Sequence, residues 1–396
     1  SPLIQGAVSF APNEQSSIGA YLFHESFASG PIRDDESAYA NTVVGLSGRM
    51  SRESMTINPL IQFENESFYY YGRPEAYTSE IMTRAGINHV LVNVPITLSN
   101  SDQWSFRFKP TFQYLGMGSD GTQYNQDVGV ELEGVGDYEI SDGFSAFAGL
   151  GLTNWKYTSG LETNRTIFDV NPGVVYANDQ LTLKAAALIS IGTDDSTDGV
   201  FVYPNVEIDY KLSDQIGLFV NAKGGLNANQ LNDLRLNNRY LNDSLTLLNR
   251  NEKIRVVAGL TYAIKSDLTI EPFVEYSYST NQALFYHSVS DSTRFGLVYD
   301  SEGIGTTNFG ATIRWLNNRS SLIAKMIISS YQTSELDEAW YLPTTQLQVR
   351  YDQSIGKNIQ LNVGLNVLQG IKAPAPADGR VIEMPTVLDL SLGADY

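Results

Sequence analysis

The chain reads as an all-β protein, a transmembrane antiparallel up-and-down β-barrel of about 16–20 strands with short periplasmic turns and longer extracellular loops. Three observations predict this. Apolar and polar residues alternate with a period of two along most of the 396 residues. The alternating runs are about ten residues or longer, as a bilayer-spanning strand requires. The connections between them alternate between short and long.

A strand points successive side chains to opposite faces, so parity sorts them. Trp104, Phe106, Phe108, Pro110, Phe112 and Tyr114 share one parity; Ser105, Arg107, Lys109, Thr111 and Gln113 share the other. Val202, Pro204, Val206, Ile208 and Tyr210 alternate with Tyr203, Asn205, Glu207 and Asp209. Similar runs follow Ile254, Leu268 and Ile359, and a last one is expected from Ile382 to Tyr396. Aromatic residues such as Trp104, Tyr114, Tyr210, Tyr262 and Tyr276 end the apolar faces, where membrane interfaces place them. Val206, Ile208, Val256, Leu260, Leu361 and Leu390 are expected to face lipid. A soluble sandwich or propeller would show shorter strands, near five or six residues.

Short turns are expected at Asn13–Ser16, Ser51–Ser54, Ser99–Asp102, Ser141–Asp142, Asn178–Asp179, Ser213–Asp214, Lys265–Asp267, Asn317–Arg319 and Ser354–Asn358. Ser, Asn and Asp recur there because they bond their own backbone in tight turns. Longer polar segments lie between them, at 28–38, 71–84, 117–122, 159–163, 193–198, 226–251, 287–303, 333–340 and 371–380. In 226–251, Leu231, Leu234, Leu241, Leu245 and Leu248 recur at helical spacing. An ordered cap of short helical pieces on the barrel rim is the plainer reading, ahead of a binding helix.

Residues 16–396 form the predicted barrel, and 1–15 an N-terminal segment that could be its first strand. Strand counting gives about 18–19, whereas single-chain bacterial barrels have even numbers. Three explanations are open: Leu3–Phe10 lies outside the wall, one assigned strand is a loop hairpin, or the native chain continues beyond Tyr396. The start at Ser-Pro-Leu-Ile has no charged or apolar leader region, so a signal peptide is expected to have been removed.

Composition narrows the function. Charged residues make up 18%, below the roughly 25% of soluble domains. The net charge of −18 excludes a nucleic-acid-binding protein, which needs a basic surplus. The absence of cysteine removes disulfide scaffolds, Cys-ligated metal sites and thiol catalysis.

Catalytic signals are sparse, and no enzyme and no cofactor is expected. His24, His89 and His287 are the only histidines, and none has the spacing of a metal motif. They read as solitary wall or loop residues. His287 and Ser288 are adjacent, but neighbours on a strand point to opposite faces and cannot form a catalytic pair. Asp291 and Asp300 near His287 form an unspecific acidic set. Thr193-Asp-Asp-Ser-Thr-Asp198 hints at a Ca²⁺ loop, although a solvated loop tip is commoner.

The polar parity set carries more information. Arg107, Lys109, Glu207, Asp209, Arg255, Glu271, Glu275, Arg350 and Asp352 are predicted to line the lumen, together with Glu131, Glu133, Lys211, Glu383, Asp389 and Asp395. Both signs occur, so cross-strand ion pairs are the plain reading of each residue. The acidic bias predicts a wet pore with modest cation preference, reduced by neutralising Glu271 and Glu275 together.

Several segments also resemble a barrel family. They are Tyr203-Pro-Asn-Val-Glu-Ile-Asp-Tyr210, Gly224-Gly225, Leu236-Asn-Asn-Arg-Tyr-Leu241, Arg294-Phe-Gly-Leu-Val-Tyr-Asp300, Asn308-Phe-Gly-Ala, Glu338-Ala-Trp-Tyr-Leu-Pro343 and Ile382 through Tyr396. Together, over roughly residues 200–396, they look like the TonB-dependent-receptor-like barrels of Bacteroidota. Such receptors carry a plug inside a barrel of about 22 strands. No plug and no TonB box is visible in this sequence, so the resemblance implies barrel ancestry without energised import. The resemblance implies another strand pair after the position of Tyr396, which would fit the odd strand count.

The expected function is a porin-like channel or transporter for passive passage of small solutes. The alternative is a non-channel accessory or structural subunit of an outer-membrane secretion or assembly complex. A membrane enzyme ranks third. Expected partners are the bilayer, lipopolysaccharide, and other outer-membrane proteins or lipoproteins.

Overall fold

The alternating pattern is realised as one continuous antiparallel sheet. The structure, a computed structural model, describes residues 2–28, 38–70, 84–100, 103–119, 122–159, 161–194, 197–287, 293–356, 358–375 and 380–395. The strands run in chain order. β1 (Leu3–Asn13), β2 (Ser16–Phe27), β3 (Tyr39–Arg52), β4 (Met55–Ile57) and β5 (Leu60–Tyr69) are followed by β6 (Arg84–Asn93), β7 (Ile96–Asn100) and β8 (Trp104–Ser119). Then come β9 (Thr122–Ser141), β10 (Phe144–Ser159), β11 (Leu161–Ala177), β12 (Leu181–Thr193), β13 (Gly199–Lys211) and β14 (Ile216–Ala228). Helix α1 (Leu231–Asn237) precedes β15 (Asn249–Lys265) and β16 (Leu268–Thr280). A hairpin of β17 (Ala283–His287) and β18 (Phe295–Tyr299) precedes β19 (Ile304–Leu316), β20 (Ser320–Gln332), β21 (Thr345–Ile355) and β22 (Ile359–Gln369). A second hairpin, β23 (Lys372–Pro374) with β24 (Val381–Glu383), precedes β25 (Val387–Asp395).

The main sheet holds 21 strands, each paired antiparallel to its neighbours. Two pairs, β4 with β5 and β6 with β7, are halves of single interrupted staves, which leaves nineteen staves. Proline causes both breaks. Pro59 and Pro95 have no N–H to give the ladder, but their carbonyls still accept from Gly48 and Asn58. β1 pairs with β2 and β25 with β22; no ladder joins β1 to β25 among the described residues.

The turns form by the expected chemistry. Asn178 Oδ1 accepts from the N–H groups of Gln180 and Leu181, and Asn317 Oδ1 from those of Arg319 and Ser320. Ser213 Oγ does the same for Gln215 and Ile216. At the 141–144 turn, Gly143 has φ +71°, and a Cβ there would collide with the carbonyl of Ala177.

Parity holds round the wall. Val202, Phe309, Leu390 and Leu260 lie on the outer face and stay exposed. With no protein on that side, the exposed apolar belt is what lipid covers. The opposite parity carries most of the ion pairs; Lys156 and Glu162 pair on the outer parity, in the strand extensions.

Three expectations are corrected. Segments 117–122 and 159–163 are not long loops: strand pairing runs on to Ser119↔Thr122 and Ser159↔Leu161. β9 reaches 20 residues, well past the bilayer requirement of about 9–11. Leu115, Met117 and Tyr157 explain the extension, because they pack against residues that cover this end. Glu383 is not on the wall: Val381–Glu383 pairs with Lys372–Pro374 in a loop hairpin, and the last stave begins at Val387.

Candidate functional site

At the long-loop end of the barrel, residues 229–248 pack against the inner face of the wall. Of the five leucines at helical spacing, only Leu231 and Leu234 lie in a helix, but the segment is a buried cap, with one substitution among its leucines. Leu231, Leu234, Leu241, Leu245 and Leu247 are buried against Phe68, Tyr70, Ala85, Ile87, Leu115, Met117 and Tyr157 of the inner wall. Leu247 takes the place expected of Leu248. Only 231–237 is helical; the rest is irregular and is held by side-chain bonds.

Charged groups fasten this cap to the wall. Arg235 of α1 reaches two carboxylates on β5: Nη2 lies 2.6 Å from Glu64 Oε2 and Nη1 lies 3.0 Å from Glu66 Oε2. Arg239 Nη1 lies 3.0 Å from the other oxygen of Glu66, and His89 Nδ1 of β6 lies 3.4 Å from Glu64. Two guanidinium groups thus balance two carboxylates. The Arg235 side chain is only 4% exposed, so removing it would strand buried negative charge.

A second anchor lies a few staves further along the wall, on β9 and β11. Arg165 of β11 and Asp127 of β9 form a fully buried pair at 2.6 Å. Arg165 Nη1 also donates to the carbonyl of Asn229, and Asp127 Oδ2 accepts the Leu231 N–H. Gln230 Nε2 donates to Glu131 on β9, which also accepts from Trp155 Nε1. The far end of the cap is tied by Asp194, whose Oδ2 accepts the Asn249 N–H and whose Oδ1 accepts from Thr197. Asp194 thereby acts as an anchor within the Ca²⁺-like segment. Residues 195 and 196 of that segment lie outside the described set.

The β17–β18 hairpin covers the cap. Asn242 N–H donates to the Phe295 carbonyl, and Phe295 N–H to the Tyr240 carbonyl. Arg294 pairs with Asp243 and stacks over the Tyr70 ring. Asp300, just after the hairpin, joins this layer to the next loop. Its carboxylate accepts four backbone N–H groups, from Gly303, Ser334, Glu335 and Leu336. Burial alone would raise its pKa, but the four donors prevail and hold it below the ordinary carboxylate value.

Beneath the cap the inner wall is polar and open. All nine predicted lumen residues take the inner parity, and eight are in ion pairs. Arg107 pairs with Asp137 at 3.2 Å, Lys109 with Glu133 at 3.5 Å and Lys184 with Glu207 at 3.1 Å. Arg255 pairs with Glu275 at 2.7 Å, Arg314 with Glu271 at 3.1 Å and Arg350 with Asp352 at 3.0 Å. Asp209, near the short-turn end, has no ion pair among the described residues. Glu133, Asp389 and Glu131 also lie on the inner parity, as does Lys211 at the end of β13, which pairs with Asp214 of the following turn.

The histidines are scattered. His24 bonds Thr42 and Ser26 on the wall, His89 joins the Glu64 cluster, and His287 packs against Phe295 and Tyr341. No group of three or more metal-ligating side chains occurs among the described residues. Ser288 and Asp291 lie outside those residues.

The residues that fasten the cap (Glu64, Glu66, His89, Asp127, Arg165, Arg235 and Arg239) were missed as a group. Inner parity marked the wall members and leucine spacing marked the cap. What joins them is separated by up to 173 residues in sequence, which no local pattern reveals.

A lipid-facing outer belt, a charged inner wall and nineteen antiparallel staves define an outer-membrane β-barrel. The chain is similar in fold to receptors of known structure. The FrpB iron transporter from Neisseria meningitidis (F5-1 variant) matches with a TM-score of 0.73 and 6% identity over 98% of this chain and 72% of its own. The ferric-catecholate import receptor Fiu from E. coli K12 gives 0.69 and 8% over 98% and 72%. The ferric yersiniabactin uptake receptor FyuA from Yersinia pestis gives 0.63 and 11% over 99% and 72%. No family model matches the chain, and no curated protein matches it in sequence.

Proposed function

We propose that this chain is a transport barrel of the outer membrane for passive passage of small hydrophilic solutes, with residues 229–248 as its constriction. The observation that carries the reading is Arg235, held between Glu64 and Glu66 inside the wall. A segment merely resting on the rim would not bury its guanidinium against the inner face. The polar wall beneath it suits polar solutes, because most of its charges are already paired with one another. The transporters and import receptors of similar fold support transport as the broad role. No catalytic step and no cofactor enters this reading.

Liposome swelling tests it. Intact protein should admit a small sugar slowly, and a variant with 230–247 replaced by a short Gly-Ser linker should admit it many-fold faster. Vesicles equally tight with both proteins would overturn the transport reading and favour an accessory role in an outer-membrane complex.

A further inference from the structure

Most charges of the inner wall are ion-paired. Asp209, Lys223 and Lys325 have no ion pair among the described residues, and Lys325 lies in a sector with two arginines. The inner faces of β19 to β22 and β25 line an open pocket of about 540 Å³, toward the short-turn half and clear of the cap. Arg314, Lys325 and Arg350 line it, and no carboxylate does. In a chain with a net charge of −18, three cations without an acidic lining residue run against composition.

The pairing registers show how this arises. Lys325 sits opposite Thr312 on β19 and Gln348 on β21, both neutral, whereas Lys109 and Lys184 each face a carboxylate directly, Glu133 and Glu207. Its Nζ lies 5.9 Å from the Phe273 ring and within salt-bridge distance of no carboxylate among the described residues. Arg314 is bonded to Glu271 through Nε alone, and its two terminal nitrogens remain available as donors. Arg350 is held from one side by Asp352. Neutral hydrogen-bonding groups complete the lining, among them Asn366 and Ser391. Gly364 keeps the floor open, since a Cβ there would collide with Ser391 Oγ.

We propose that this sector is a binding site for a small multivalent oxyanion, carboxylate or phosphate in chemistry. Guanidinium forks and an ammonium group give charge-assisted bonds to such oxygens, and the Arg fork fits their geometry. The pocket has room for more than a halide ion. The site rests on the transport reading only in taking the lumen to be wet. Solute flux without anion binding would overturn the site alone, and binding without flux would overturn the transport reading alone.

The test is calorimetric titration of the detergent-solubilised full chain with inorganic phosphate and, separately, with succinate. Saturable one-to-one binding of either is expected. Lys325→Gln should weaken it about tenfold, the loss of one charge-assisted contact. Lys325→Arg should retain it, and Lys109→Gln, in another sector, should leave it unchanged. Absence of saturable binding with both anions in the wild-type chain would overturn the proposal. An equal loss in Lys109→Gln would do the same, because it would reduce the effect to diffuse attraction.

Discussion

At the scale of single residues, the cap is held to the wall by a few buried charges. Arg235 serves two carboxylates, so Arg235→Ala leaves Glu64 and Glu66 with Arg239 and His89 alone. Breaking a buried ion pair from one side costs about 3–5 kcal/mol. The expected outcome is a cap that is digested faster by protease, read as cleavage within 229–248, while the wall stays folded. Asp300 gives a pH dependence of known sign. Its folded pKa is depressed, so its contribution to stability is complete above the ordinary carboxylate value of about 4 and is lost as pH falls through the folded value. Thermal melts of Asp300→Asn should therefore differ from wild type at pH 7 and converge with it in strong acid. A constant difference at all pH values would mean that the carboxylate charge is not what the four N–H groups recognise.

At the scale of elements, the staves were legible in the sequence and the cap's attachment was not. Strict alternation fixed which face of β13 meets lipid, because a one-residue slip would turn Glu207 and Asp209 outward. Asx-type turns at Asn178 and Asn317 marked strand ends for the same local reason. The tops of β8, β9, β10 and β11 were read as loops because their polar residues break the pattern; they stay in the sheet through contact with the cap. Glu383 was misplaced because a three-residue hairpin also alternates, and length alone separates it from a stave. The face assignment makes a direct prediction. Arginine at Val206 or Leu260, on the outer face, should cost about 2–4 kcal/mol in a folding titration. Arginine at Asn205 or Thr261, on the inner face, should cost far less, and equal costs on both faces would contradict the assignment.

At the scale of the whole molecule, the net charge is a poor guide to the lumen. The expected cation preference came from an acidic total, yet Glu271 and Glu275 are each matched by an arginine. Neutralising both should release Arg314 and Arg255 and shift the reversal potential of the linker variant toward anions. No shift would mean that these pairs lie away from the conducting path. The central claim is that α1 sits inside the wall, and the cysteine-free chain allows a direct measurement. Leu234 is buried in the cap's apolar cluster, whereas Leu236, two residues on, is 69% exposed. A single cysteine at each position can be challenged with a polar maleimide under native conditions. Leu236→Cys should label at once, and Leu234→Cys should resist until the protein is denatured; equally fast labelling of both in the folded barrel would contradict a cap seated in the lumen.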